Sequence, residues 1–208
     1  MVRVLARFAA ISCVLGLAAC ASDELGKMPA SPRAGAALLT NPISASYHGL
    51  RDEAAKPPSG YVAFCSRNPG QCKAGKGPSE MVLTDEVWRD LQEINLIVNH
   101  TMVSEDDQPH YGTVEFWTIP EDGLGDCEDY VLTKRQALIK LGLPEGALRI
   151  TVVFAPHFVR HAVLTVVTDQ GNFVLDNLHD EIVTWDKTKY TYLERQDPRS
   201  ASGWVSLQ

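Results

Sequence analysis

Three side chains of this chain have the types and the order needed for thiol chemistry. Cys127 stands in the run Gly125–Tyr130, and His161 and Asp176 follow it along the chain. The cysteine lies where a glycine-containing turn meets an amphipathic helical pattern, and the N–H groups and dipole of a helix start favour thiolate over thiol. His161 can take and return the proton, while Asp176 orients the imidazole and stabilises its charged form. The pattern predicts a Cys-His-Asp triad; His157 is a competing base, although the proline before it indicates a bend.

The N-terminus has the features of an export signal. Two arginines lead into an apolar stretch from Phe8 to Ala19, which is too short to span a bilayer as an ordinary helix. Leu17–Cys20 resembles a bacterial lipobox, in which Cys20 becomes the lipidated first residue of the mature chain. An ordinary cleaved signal with a chance cysteine is the alternative. Because Ala21 follows instead of an acidic residue, resemblance to lipoprotein sorting rules predicts a periplasmic protein anchored in the outer membrane by lipid alone.

Export to an oxidising compartment allows the other cysteines to form a disulfide. Cys65 and Cys72 flank a Pro-Gly turn and can form a disulfide there. Zinc binding by this pair is disfavoured, because no second Cys/His pair has zinc-ligand spacing. With Cys13 in the signal and Cys20 lipidated, Cys127 is left as the free thiol.

Composition bounds the domain organisation and the partners. The full chain of 208 residues has a formal net charge of −7, and removal of a signal with two arginines makes the mature chain more acidic. Such a charge argues against nucleic acid or an anionic membrane surface as a direct partner. We predict a signal peptide at 1–19, a lipid-anchored flexible tether rich in Ala, Ser, Pro and Gly at 20–58, and one domain at 59–208.

Hydrophobic periodicity predicts the elements that must position the triad. Apolar residues at helical spacing predict a helix over 85–103, capped by Thr84, and a second over 127–141 that buries Leu138 and Leu141. Strands are predicted at 148–155, 161–168 and 172–178. The expected fold is α+β, with the nucleophile helix packed on an antiparallel sheet that carries the base and the acid.

The last two strands form a predicted hairpin that tests the pairing of His161 with Asp176. A turn centred on Gln170 and Gly171 puts both side chains on one face of the sheet. It also leaves them about four residues apart, roughly 13 Å along the strand. A bulge, or a turn centred nearer Thr168, is needed to bring the two side chains into contact.

Three motifs together resemble one known family. They are Gly125–Tyr130 (Gly-Asp-Cys-Glu-Asp-Tyr), Arg160–Leu164 and Val174–Leu178, and the similarity extends over about 61–185. They resemble the bacterial transglutaminase-like cysteine proteinases, whose LapG-type members are periplasmic proteases. The resemblance implies a papain-like transglutaminase core with the triad in the roles given above. It also implies a protein substrate, of which a large surface adhesin is the family example, and makes a regulatory membrane protein a candidate partner; the lipobox departs from the soluble subgroup.

The resemblance further implies calcium as a cofactor, and no organic cofactor is expected. Asp126 and Glu128 match the positions that the family uses, and two carboxylates repel a neighbouring Cys127 thiolate unless a cation neutralises them. Acidic residues also simply favour the first turn of a helix, and Lys134 or Arg135 are alternative neutralising groups. Further candidate ligands are Asp129 and either Asp106 or Asp107.

Three classes of function fit these residues. The first is a periplasmic cysteine endopeptidase that acts through a thioester acyl-enzyme, clipping exported surface or adhesin proteins. The second is a transglutaminase-like acyltransferase or amidase, which shares the same acyl-enzyme. The third is a non-catalytic envelope lipoprotein used as a scaffold, against which the intact triad argues.

Overall fold

The computed structural model describes residues 53–73, 77–197, 199–200 and 203–207. The predicted signal peptide, the predicted lipidation site Cys20 and the predicted tether up to residue 52 lie outside the described residues. Within the described ranges, no helix has the length and apolar character needed to cross a membrane.

The two long helices lie where the periodicity predicted them, whereas two shorter helices, Ser59–Arg67 and Asp107–Tyr111, were not predicted. Thr84 caps the first long helix, since its Oγ1 accepts a hydrogen bond of 3.2 Å from the Val87 N–H. The nucleophile helix is followed by Gly142 at φ 96°, a left-handed conformation that glycine adopts without strain. Leu141 was predicted to be buried but is 55% exposed, because the helix has already ended at Lys140. The α-helices are α1 (Ser59–Arg67), α2 (Asp85–Thr101), α3 (Asp107–Tyr111) and α4 (Cys127–Lys140).

An antiparallel sheet of seven strands forms the other layer of the described part. Its strands, in spatial order, are β1, β9, β8, β4, β5, β6 and β7. The strand β1 lies within the range that composition assigned to the tether, because it pairs with the distant β9. The strands are β1 (Glu53–Ala55), β4 (Leu148–Ala155), β5 (Val159–Thr168), β6 (Gly171–Leu175), β7 (Val183–Thr184), β8 (Thr191–Gln196) and β9 (Trp204–Ser206), and the separate parallel pair is β2 (Val103–Ser104) and β3 (Leu124–Gly125).

Alternation along the central strands separates two apolar clusters. Ile150 and Leu164 join the larger cluster, which contains Leu91 of α2 and Leu138 of α4. A smaller cluster contains residues of β4, β5, β6, β8 and β9 and a C-terminal leucine: Val153, Val163, Val174, Tyr192, Val205 and Leu207. Helix α4 packs against β5. The predicted α+β fold, with the nucleophile helix on an antiparallel sheet, is confirmed.

The β5–β6 hairpin turns one position earlier than the sequence predicted. Thr168 pairs with Gly171, so the turn is centred on Asp169 and Gln170. The Thr168 hydroxyl closes this turn by donating to the Gly171 carbonyl at 2.8 Å and accepting from the Gln170 N–H at 3.1 Å. Gly171 has φ 131°, which explains why glycine begins the returning strand. Continuing the register reduces the offset between His161 and the triad acid from about four residues to about two, a diagonal distance that side chains can bridge.

Candidate active site

Cys127 is the first residue of α4, at the junction of that helix with β5. Its Sγ lies 3.2 Å from Glu128 Oε2 and accepts a hydrogen bond from the backbone N–H of Ala162, the residue after His161. Cys65 and Cys72 are joined by a disulfide, so Cys127 is the one free thiol among the residues that the structure describes. A thiol therefore stands beside the strand that carries the imidazole.

The electrostatic setting of the sulfur differs from the expectation for a bare helix start. Burial raises the pKa of Cys127 well above its usual value, and the adjacent Glu128 carboxylate raises it further. The Ala162 N–H lowers it by a smaller amount. Desolvation and a neighbouring acid therefore oppose the thiolate that the helix start favours. A reactive thiolate here needs a proton acceptor and a counter-charge.

His161 and Asp176 meet in a buried hydrogen bond. His161 Nε2 lies 2.8 Å from Asp176 Oδ1, and the two residues are 6% and 3% exposed. Burial alone raises the pKa of Asp176, but the bond to His161 and other hydrogen bonds offset this, and the net pKa is lowered. With Nε2 donating to the carboxylate, Nδ1 is the ring atom left to accept the thiol proton. His157 lies in the exposed turn before β5 at φ 67° and is not part of this pair.

Three further hydrogen bonds hold Asp176 in place. Tyr190 donates its hydroxyl hydrogen bond to Asp176 Oδ2, and the Leu178 N–H donates to Oδ1 at 3.0 Å. Asn99 of α2 donates to the backbone carbonyl of Asp176 at 2.9 Å. Asn95, one helical turn earlier, donates to the carbonyls of the same loop at residues 179 and 180. In the sequence, the signal for these contacts was the spacing of Asn95 and Asn99, four residues apart on α2 beside the buried Leu91 and Val98. The sequence contained no comparable signal for Tyr190.

A second constellation of acidic residues lies at the entrance to α4. One carboxylate oxygen from each of Asp107, Asp126 and Asp129 lies within 4.8 Å of the other two. Each residue also has one buried carboxylate oxygen without a hydrogen-bond partner in the described part of the chain. The other oxygens are held: Asp129 Oδ1 accepts from the Thr118 N–H at 2.7 Å, and Asp107 Oδ2 accepts from the Phe116 N–H. Fixed, unpaired carboxylate oxygens fit a hard divalent cation such as calcium.

Of the two predicted metal ligands, Asp126 belongs to this cluster of aspartates and Glu128 does not. Glu128 is grouped instead with Asp126 and the Cys127 sulfur. Of the candidates for completing the shell, Asp107 and Asp129 are in place. Burial and the neighbouring acids raise the pKa of Asp129 to about 8 and that of Glu128 to about 9. Without a counter-charge, the cluster therefore holds protons that a bound cation would displace.

Of the two alternative counter-charges, Arg135 is paired with another acid, and Lys134 is buried with no hydrogen-bond partner for its Nζ in the described part of the chain. Arg135 forms an ion pair of 2.9 Å with Glu145 and donates to the Leu148 carbonyl. Lys134 is 0% exposed, and burial lowers its pKa to about 7, partly offset by Asp176 and Asp180. The acids whose charge raises the pKa of Lys134 are Asp176 and Asp180, not those that flank the thiol.

Known proteins match the chain at the level of a family and of solved structures. The model of the bacterial transglutaminase-like cysteine proteinases (BTLCP) matches residues 51–208. No curated protein matches the chain. The solved structures that it resembles include LapG of Legionella pneumophila: the EGTA-treated form, with 26% identity over 53% of this chain and a TM-score of 0.47, and the calcium-bound form, with 23% identity over 68% and a TM-score of 0.48. These matches cover 63% and 77% of the LapG chains.

Proposed function

This chain belongs to the bacterial transglutaminase-like cysteine proteinases, and from that premise we propose that it is an exported endopeptidase with a Cys127-His161-Asp176 triad. Membership of the family makes it a cysteine peptidase acting on protein. The observation that supports the triad is the buried hydrogen bond of 2.8 Å between His161 and Asp176, next to the strand residue that contacts the free thiol.

The triad divides the reaction into two acyl transfers. His161 takes the proton of Cys127 while Sγ attacks the peptide carbonyl carbon, and the protonated imidazole then delivers that proton to the leaving amine. The product is a thioester. His161 next removes a proton from water, the hydroxide attacks the thioester carbonyl, and Cys127 leaves and recovers its proton. Asp176 accepts the Nε2–H bond throughout and stabilises the imidazolium.

We assign the calcium site to Asp107, Asp126 and Asp129, with Glu128 beside the sulfur. The buried unpaired oxygens of the three aspartates support this assignment. A bound cation would supply positive charge that offsets the acids next to the thiol and brace the turn entering α4. The protein itself positions the groups around this site. The Phe116 and Thr118 N–H groups hold the carboxylates of Asp107 and Asp129, and α4 holds Cys127 next to β5.

Location and substrate follow as proposals from the N-terminus and the family. The lipobox-like Leu17–Cys20 supports anchoring in the outer membrane through a lipid on Cys20, with the domain facing the periplasm. An enzyme held there meets the periplasmic parts of proteins that are exported to the cell surface. We therefore propose an exported surface protein, of the large adhesin class, as substrate.

Mass spectrometry of new termini tests the proposal. The mature protein is incubated with calcium and solubilised envelope proteins in water enriched in oxygen-18, with Cys127→Ser as the matched control. We expect new peptide N-termini, and one heavy oxygen in each new carboxylate, only with the wild-type protein. Crosslinked or amine-substituted products without heavy oxygen would establish acyl transfer instead. Identical peptides from both proteins, in the presence of calcium, would contradict enzymatic action on the envelope.

A further inference from the structure

A single tyrosine contacts both the base and the acid of the triad. The hydroxyl of Tyr190 donates to Asp176 Oδ2, the oxygen that His161 does not use. The ring of Tyr190 stands edge-to-face against the His161 ring, with centroids 5.7 Å apart and an interplanar angle of 68°. Tyr190 directly precedes β8, a strand that is separated from β6 by β4 and β5 in the sheet.

Tyr190 and Asp176 both line a cavity next to the His161–Asp176 bond. The cavity has a volume of about 720 Å³, and Leu178 and neighbouring residues also line it. His161 and Asp176 are almost fully buried, whereas Tyr190 is half-buried and forms part of the cavity wall. Removal of the ring would let cavity water reach the hydrogen bond, and water competes for both partners.

From these contacts we propose that Tyr190 is a positioning residue of the active site, which fixes the Asp176 carboxylate and shields its bond to His161. The inference rests on the triad of the proposed function. Asp176 Oδ1 receives the His161 and Leu178 donors, and Oδ2 receives the Tyr190 donor, so the carboxylate plane is fixed at both oxygens. Burial and the Asp176 carboxylate raise the pKa of Tyr190, which keeps its hydroxyl a donor at neutral pH.

The chain provides a matched control for this tyrosine. Tyr192, in β8, also has a hydroxyl bonded within the protein, to Thr188 Oγ1 at 3.1 Å and to the Trp185 carbonyl at 3.3 Å. Its ring packs edge-to-face on Trp185. Tyr192→Phe therefore removes the same atom from a hydroxyl that is bonded to Thr188 and Trp185 rather than to Asp176.

Two measurements that need no substrate test the proposal. The first is the rate at which iodoacetamide alkylates Cys127 at fixed neutral pH with calcium present; the sulfur displaces iodide, and His161 takes the thiol proton. We expect Tyr190→Phe to alkylate about tenfold more slowly, the scale of a lost hydrogen bond to a charged group. Tyr190→Leu should be slower still, and Tyr192→Phe should stay within twofold of the wild type.

The second measurement is the proton NMR signal of His161 Nε2–H and its exchange with water. It should be present and protected in the wild type, shifted in Tyr190→Phe, exchanging much faster in Tyr190→Leu, and unchanged in Tyr192→Phe. The proposal would be overturned if Tyr190→Phe alkylated at the wild-type rate and kept the wild-type NMR signal. It would also be overturned if Tyr192→Phe slowed alkylation as much as Tyr190→Phe does, or if the wild type showed no Nε2–H signal even at low temperature. A wild type that alkylates rapidly but cleaves no envelope protein would refute the substrate and leave the positioning role standing.

Discussion

Replacing Asp129 with asparagine should stabilise the calcium-free protein and abolish its response to calcium. Asp129 is fully buried, and its Oδ2 lies without a hydrogen-bond partner in the described part of the chain. Asparagine keeps the oxygen that accepts from the Thr118 N–H and places an NH₂ group where Oδ2 stood. That group can donate to the unpaired oxygens of Asp107 or Asp126. The substitution exchanges a repulsive contact for a hydrogen bond.

The magnitude follows from the protonation of the cluster. The pKa of Asp129 is raised from 3.8 to about 8, first by burial and then by the neighbouring acids. Each pKa unit corresponds to about 1.4 kcal/mol, so ionising Asp129 costs the folded state at most about 6 kcal/mol, and water entry and relaxation reduce this. Because the folded state binds more protons than the unfolded chain between these pKa values, its free energy of unfolding falls as pH rises from about 4 to about 8.

Thermal melting in EGTA at pH 8 measures the effect. We expect Asp129→Asn to melt about 5 to 10 °C above the wild type, and the difference to shrink towards pH 5. With calcium at 100 times its Kd, the wild type should gain about 2.7 kcal/mol and Asp129→Asn should gain nothing. Asp186→Asn removes the same charge at an exposed position and is the control. A less stable Asp129→Asn at pH 8 in EGTA, or one with wild-type stabilisation by calcium, would refute the reasoning.

Three further predictions concern the cysteines. In the oxidised mature protein, iodoacetamide should label Cys127 alone and abolish activity, and peptide mapping that finds equal labelling at Cys65 or Cys72 would contradict the assignment. Replacing Cys65 and Cys72 together with alanine should lower the melting temperature by about 5 to 10 °C, since the loop closure contributes about 2.5 kcal/mol; an unchanged melting curve would show that the bond is dispensable. Cys20→Ala should move the protein from the membrane to the soluble fraction on an immunoblot, whereas a wild type that is already soluble would exclude the lipid anchor.

Local pattern was sufficient to predict the two long helices, the central strands and the residues that we propose to react. The first strand of the sheet core was predicted at 148–155, and the structure has it at Leu148–Ala155. The helix predicted from 127 begins at Cys127. Both follow from apolar periodicity and from caps and glycines within a few residues, so the information is local. The side-chain parity that puts His161 and Asp176 on one face of a hairpin is local for the same reason.

The contacts that complete the site were decided by the tertiary structure. The hairpin turn lies one position earlier than predicted, because the Thr168 hydroxyl and Gly171 close it. In this register His161 Nε2 lies 2.8 Å from Asp176 Oδ1. Tyr190 reaches Asp176 across 14 positions of the chain and Asn99 across 77. No periodicity links residues so far apart, because their proximity depends on how α2, β6 and β8 pack. The sequence by itself therefore determined which residues are proposed to react, and packing determined which side chains contact them and which aspartates lie close together.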